Sequence, residues 1–201
     1  MKIAPVKLNI GGGKHRKKFP ADWLICDKGA WDYQVDLNNQ PLPMANNSID
    51  AIYTSHTLEH LYADVIPTVM TEMCRVLKPR CPIRIVVPDI DIAVQLYANG
   101  RYKELATISA EVAYKQEQLP DLPVCKLASW FYTYKYDEGS PVRRYPGGHT
   151  MAFNFDLMRY YMEQAGFQNI SRSACNTGNP IFQGCDFGNY AHGSLYVEAC
   201  K

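Results

Sequence analysis

Charge of one sign is scarce here. Twenty-one Lys and Arg stand against 20 Asp and Glu, so the formal net charge is +1 and no broad field exists to draw in nucleic acid. The one basic run, Lys14-His15-Arg16-Lys17-Lys18, reads as a solvated turn. The cysteines at 26, 74, 81, 125, 175, 185 and 200 include no C-x-x-C pair. Their odd number and wide spacing speak against a disulfide framework and a cysteine zinc site. No stretch approaches the ~18 uninterrupted apolar residues of a membrane span. The opening MKIAPVKLNI lacks the basic and apolar regions of a secretion signal, and a reducing cytoplasm is the expected setting. Internal repeats and low-complexity tracts are also missing. What remains is 201 residues, 47% hydrophobic and 20% charged, enough for one α/β domain with a real core.

Short apolar runs closed by breakers or carboxylates organise the chain. Val6 to Ile10 reads as a strand stopped by Gly11-Gly12-Gly13, Asp22 to Asp27 as a second, and Tyr33 to Asp36 as a weak third. Ile49 to Tyr53, followed by Thr54-Ser55-His56, is a fourth. Ile83 to Val87, closed by Pro88-Asp89, is the clearest. A helix is predicted over Ala63 to Leu77, with Val65, Val69, Met73, Val76 and Leu77 on one face and Pro67 in its first turn. A later helix is predicted from an Asp156 N-cap to Gly166, with Leu157, Tyr160, Tyr161 and Ala165 inward. Two final strands follow, 168–174 and 194–199. Alternating strands and helices predict a doubly wound, mostly parallel α/β sheet in a single domain. Its N-terminal half is compact. Only ~12 residues join the first two strands, so the helix between them must be very short.

Residues 91–148 differ in kind. Asp91 to Gln118 looks helical, and Trp130 to Tyr136 places five aromatics in seven positions. A connection this long is expected to be an acceptor cap or lid, the alternative being that its rings cover one end of the sheet.

A glycine loop after the first strand lets backbone N–H groups approach an anionic ligand. Asp27, ending the second strand, is placed to accept hydrogen bonds from both hydroxyls of a ribose. Asp36 could accept from an adenine amino group while Leu37 packs on the purine. All of these would lie at the carboxyl edge of the sheet.

Several stretches taken together resemble the class I S-adenosylmethionine-dependent methyltransferase superfamily. They are Leu8 to Gly13, Asp36-Leu37-Asn38 and the block from Ser48 to Leu61. That block contains the "S-h-L-E-H-L" motif as Ser55-His56-Thr57-Leu58-Glu59-His60-Leu61. Glu72 to Pro79, followed by Ile83 to Asp89, is similar to that family's "E-x-x-R-V-L-K-P-G-G" and fifth strand. His149 to Asp156, Glu163 to Phe167 and Ser194 to Ala199 resemble its last helix and terminal strand. The resemblance covers about two-thirds of the chain, is nearest to the type 11-like branch, and leaves out roughly 91–145. It implies a Rossmann-like seven-stranded sheet with an antiparallel last strand, and S-adenosylmethionine as cofactor, released as S-adenosylhomocysteine. The implied cofactor site takes in Asn9, Gly11, Gly12, Gly13, Asp27, Asp36, Leu37, Ser55 and His56, with no metal. Two departures stand out: Gly11-Gly12-Gly13-Lys14 replaces G-x-G-x-G, and Arg80-Cys81 replaces the glycine pair.

Methyl transfer is an in-line displacement at an activated sulfonium, and a base is needed only where the nucleophile must lose a proton. His56 and His149 are the candidate bases, since an unperturbed histidine titrates near pH ~6.5. The plainer alternatives are that His56 contacts cofactor and that His149 fixes a loop. Glu59 and His60 are expected to be structural, Glu59 by bonding neighbouring backbone. The expected acceptor is a small molecule or glycan rather than nucleic acid or membrane.

Three rival readings follow from the same residues. His56-Thr57-Leu58-Glu59-His60 matches the zinc-peptidase pattern H-x-x-E-H, with Glu111 or Glu117 as third ligand and Glu59 as base. That pattern needs a helix, whereas His56 directly follows a strand. A nicotinamide oxidoreductase would want the third glycine of G-x-G-x-x-G, which is missing. A non-catalytic domain that binds cofactor or a partner protein is the third, and measured turnover separates it from an enzyme.

Overall fold

The computed structural model describes residues 4–29, 31–108, 122–131 and 149–201. Strands β1 (Lys7–Ile10), β2 (Trp23–Asp27), β3 (Tyr33–Gln34), β4 (Ala51–Ser55), β5 (Pro82–Pro88), β6 (Gln168–Ser173) and β7 (Ser194–Cys200) form one sheet. Their order is β3-β2-β1-β4-β5-β7-β6. β7 runs antiparallel to both of its neighbours, and the other pairings are parallel. This is the seven-stranded arrangement expected. The central strands are apolar along their whole length because both faces are covered: Leu8, Ile10, Ile52, Ile83 and Ile85 are fully buried.

One face of the sheet carries helices α1 (Ile66–Val76) and α5 (Phe155–Gln164). Ile66, Val69, Met70 and Met73 of the first, with Met158 and Met162 of the second, join the main core. The opposite face has a different cover. Phe19, Trp23, Tyr53, Phe182 and Tyr196 cluster there, and among the described residues no α-helix contributes to that cluster. Short turns and the segment between β6 and β7 do the covering. The crossover from β1 to β2 is likewise a 3-10 turn, Gly13–Lys18, as short as the spacing demanded.

Several expected boundaries move for identifiable reasons. α5 is capped by Asn154, whose side chain accepts from the Leu157 N–H, not by Asp156. Starting two residues early turns Met158 and Met162 inward and leaves Tyr160 exposed. α1 begins at Ile66, so that Pro67 falls in its first turn. The helix expected across 91–118 is instead α2 (Ile90–Ala98), a break at Asn99-Gly100 with Gly100 at φ 68, and α3 (Tyr102–Ile108). Residues 109–121 lie outside the described set. α4 (Pro123–Phe131) packs with α2 and α3 through Ala93, Leu96, Leu105 and Trp130, forming a small core of its own. The other aromatics of the run 130–136, Tyr132, Tyr134 and Tyr136, lie outside the described residues. Arg80 adopts φ 64, the left-handed region that the resembling motif gives to glycine. No described helix is long and apolar enough to cross a membrane, and all seven cysteines are free thiols.

Candidate functional site

The strand order reverses between β1 and β4, and the chain leaves the carboxyl ends of β1, β2 and β4 on the same edge. Open α/β sheets bind ligands at such a crevice. A cavity of about 630 Å³ lies there, within the range of small-ligand sites. Gly11 and Gly13, Asp27 and Lys28, Leu37 and Asn38, and His56, Thr57 and His60 line it in turn along the edge.

The glycine loop is fixed by backbone and side chain together. The Gly11 N–H donates to the Cys26 carbonyl at 2.8 Å, tying the loop to β2. Gly11 has φ 78, and a Cβ there would stand 2.0 Å from Thr57 Oγ1. Thr57 Oγ1 lies 3.3 Å from the Ile10 carbonyl and 3.2 Å from that of Ser55, sharing its one proton between them, so it is not free to retreat. Gly11→Ala is expected to lower stability by ~2 kcal/mol or more, from the left-handed backbone and the clash together. In a double-mutant cycle followed by urea titration, Thr57→Gly should cost less in the Gly11→Ala background than in the wild type, because there it also removes the clash.

Asp27 ends β2 as expected and already holds two backbone donors. Its Oδ2 accepts from Gly13 N at 2.8 Å and its Oδ1 from Lys28 N at 2.6 Å. Each carboxylate oxygen keeps a second lone pair. Trp31 lies against the loop, its Nε1 2.3 Å from where a Gly13 Cβ would be. Asp36 is committed elsewhere. Its carboxylate accepts from Asn38 N and Asn39 Nδ2 and pairs with Lys28 at 3.2 Å. Burial alone would raise the Asp36 carboxyl, but these partners hold it below its usual value.

Past β4 the backbone turns sharply. His56 has φ 50, a left-handed conformation uncommon for histidine. Its N–H is held by the Val86 carbonyl. Its ring stacks on Tyr190 at 4.0 Å between centroids. Nε2 lies 3.0 Å from Ser194 Oγ, and Nδ1 lies 3.1 Å from Glu59 Oε1. Glu59 is 1% exposed, and His60 Nε2 stands 3.9 Å from its Oε1. Burial pushes the Glu59 carboxyl up, but the neighbouring imidazoles, His56 first and then His60 and His149, outweigh this and hold it below the usual range. The His56 approach is at ion-pair distance yet off the line of a good hydrogen bond. Among the described residues, neither Glu59 oxygen has one.

His149 stands behind this group. It is buried, and its Nδ1 lies 2.9 Å from the Trp130 carbonyl. Its ring meets that of His60 edge-on at 4.9 Å. Burial holds the imidazole below its ordinary value, outweighing the attraction of Glu59.

Of the residues singled out from sequence, Gly11, Gly13, Asp27, Leu37 and His56 border the cavity. Asn9 is buried under Gly12, its Nδ2 2.1 Å from a Gly12 Cβ position, and Asn9, Gly12, Ser55, Asp36 and His149 are not on its wall. Among the described residues, the Glu59 side chain bonds no backbone group. Its carbonyl instead accepts from Thr150 N and Met151 N, lacing the segment after the insert onto this turn. Sequence reasoning missed Trp31, Lys28 and His60 as cavity residues. The H-x-x-E-H pattern does not form a zincin helix. His56 sits on a left-handed residue and Leu58–His60 is a 3-10 turn, while Glu111 and Glu117 fall outside the described residues.

Residues 21–84 match a methyltransferase-domain family. No curated protein matches the chain by sequence. Among solved structures, an S-adenosylmethionine-dependent methyltransferase from Archaeoglobus fulgidus is similar at 10% identity and a TM-score of 0.55, covering 100% of this chain and 87% of its own. One from Thermotoga maritima, described as a possible histamine N-methyltransferase, is similar at 12% identity and 0.54, covering 100% and 84%. One from Methanosarcina mazei is similar at 13% and 0.54, covering 100% and 94%.

Proposed function

We infer that this chain, a member of the class I S-adenosylmethionine-dependent methyltransferase superfamily by fold and by its match over residues 21–84, transfers a methyl group to a small-molecule or glycan acceptor. The observation that carries the reading is the pairing of Gly13 N with Asp27 Oδ2 on the wall of a cavity at the switch point of the sheet. A nucleoside with a charged amino-acid tail needs just such a close backbone approach beside a ribose-accepting carboxylate. Gly11 and Gly13 leave room for it, since a Cβ at either position would meet side chains that form the cradle. Asp27 would accept from the ribose hydroxyls through its remaining lone pairs, and Leu37 would cover one face of the base. When bound, S-adenosylmethionine supplies an electrophilic methyl group on a sulfonium. His56 also borders the cavity, where it would take up an acceptor proton. The near-neutral net charge supports an uncharged or small acceptor over nucleic acid, and seven free thiols fit the reducing cytoplasm expected.

Calorimetry with S-adenosylmethionine and S-adenosylhomocysteine tests the cofactor reading. Asp27→Ala should weaken binding by ~1.5–3 kcal/mol, the range for hydrogen bonds to a charged group. Unchanged affinity in a folded variant removes Asp27 from the site. Formation of S-adenosylhomocysteine over many turnovers, against a panel of hydroxylated small molecules, distinguishes an enzyme from a binding domain of the same fold.

A further inference from the structure

We propose that Trp31 is the platform on which the adenine base of S-adenosylmethionine lies, a role that rests on the cofactor site proposed above. The sheet order β3-β2-β1-β4 gives the cavity two sides. Trp31 comes from the connection between β2 and β3, and Val35 and Leu37 from the exit of β3, so this side carries apolar surface. Lys28, from the same connection, spends its charge on Asp36 at 3.2 Å. Gly11, His56 and Thr57, from the exits of β1 and β4, make the other side. Asp27 ends β2, between the two. A ribose on Asp27 carries its base at one end and its charged tail at the other, so each takes one side. Backbone N–H groups and an imidazole suit the tail and the methyl group. The apolar side suits the base.

Trp31 is held as a platform must be. Only five residues, 28–32, join β2 to β3, against the dozen or so of a usual parallel crossover, so no helix can cover this end of the sheet. The connection is pinned at both ends instead. Asp32 Oδ2 accepts from Ile25 N at 2.8 Å, and Gln34 Nε2 donates to the Lys28 carbonyl at 3.0 Å. The five-membered ring of the indole is seated against two glycines. A Cβ at Gly13 would stand 2.3 Å from Nε1 and 2.6 Å from Cε2, and one at Gly29 would stand 2.7 Å from Nε1 and 3.2 Å from Cδ1. A larger residue at either position would unseat the ring. Seated on that edge, the side chain is still 39% exposed and borders the cavity. A large apolar ring left in water gains by being covered, and the flat face of a base covers it well. Because the ring is already fixed, little freedom is lost on binding.

The test uses the full chain. Of its three tryptophans, Trp23 and Trp130 are 1% and 5% exposed, so acrylamide quenching reports on Trp31. Adenosine, which has no tail, and S-adenosylhomocysteine should each shield Trp31 at saturation. In calorimetry, Trp31→Ala should weaken both ligands by a common factor of ~10-fold or more, and Trp31→Phe should recover most of that loss. A ring that only braced the glycine loop would cost the tailed ligand more than adenosine. Trp31 is exposed, so its variants should fold, and Tyr160→Ala, at an exposed residue of α5, should leave both affinities unchanged. If neither S-adenosylmethionine nor S-adenosylhomocysteine binds the wild type, the cofactor site falls and the platform with it. If they bind while Trp31 stays fully quenchable, or while Trp31→Ala keeps its affinity for adenosine, the platform alone is overturned and Asp27 keeps its role.

Discussion

Arg84→Met is expected to cost ~3–5 kcal/mol of stability, the range for removing one member of a buried ion pair. Arg84 is fully buried in the middle of β5. Its guanidinium donates to both oxygens of Asp186, at 3.1 and 2.5 Å, and to Glu198. It also donates to Ser173 Oγ and to the carbonyls of Ala174 and Thr177. Removing it leaves Asp186, 1% exposed, beside a second carboxylate with no cation between them. Urea titration should show the loss, and adding Asp186→Asn and Glu198→Gln should recover much of it by removing the orphaned charges. A loss below ~1 kcal/mol in the single variant would mean that water or a rearranged segment satisfies both acids. The consequence reaches the site. The network pins residues 174–186 onto the sheet, and the same connection goes on to supply Tyr190 and Ser194 to the His56 ring.

That network shows where sequence reading stops. The run Ile83 to Val87 identifies a buried strand correctly, and its apolar neighbours explain why. Nothing in the run says that the arginine inside it is also buried, since its partners lie about a hundred residues away. The α5 start has a local cause that was legible. Asn154 and Asp156 both cap well, and Asn154 wins because capping from there turns Met158 and Met162 to the core. The break at Asn99-Gly100 was legible too, as a glycine C-terminal stop inside an apparently continuous helix.

The site divides along the same line. The glycine loop and Asp27 follow from strand ends, which periodicity locates well. Asp36 follows β3 and is not on the cavity wall, and its partner Lys28 comes near it through the pairing of β3 with β2. Trp31 carried a usable signal, an aromatic in a loop just past a strand end at the carboxyl edge. His60 sat inside the most specific motif and was read as structural. Only the 3-10 turn, which brings consecutive residues to different surroundings, puts Glu59 in the interior and His60 on the cavity wall.

His56→Asn should cut methyl-transfer turnover by ~10²–10⁴ with S-adenosylmethionine affinity nearly intact, if His56 takes the acceptor proton. Asparagine is the informative replacement because it tolerates the left-handed backbone at φ 50. The ring is well braced for the role, with Tyr190 stacked on it, Glu59 beside Nδ1 and Ser194 Oγ 3.0 Å from Nε2. An acceptor hydroxyl must displace Ser194 from Nε2 or pass its proton through that hydroxyl. Ser194→Ala should therefore shift turnover by much less than His56→Asn in the first case and by a comparable factor in the second. His149 is a poorer candidate base, since its Nδ1 is taken by the Trp130 carbonyl and the ring does not reach the cavity wall. His149→Asn should thus act on stability more than on the chemical step. Single-turnover rates with labelled S-adenosylmethionine, alongside binding by calorimetry, separate these outcomes. If His56→Asn loses cofactor affinity and slows turnover less than ~10-fold, the ring is a wall of the cavity and the proton leaves by another route.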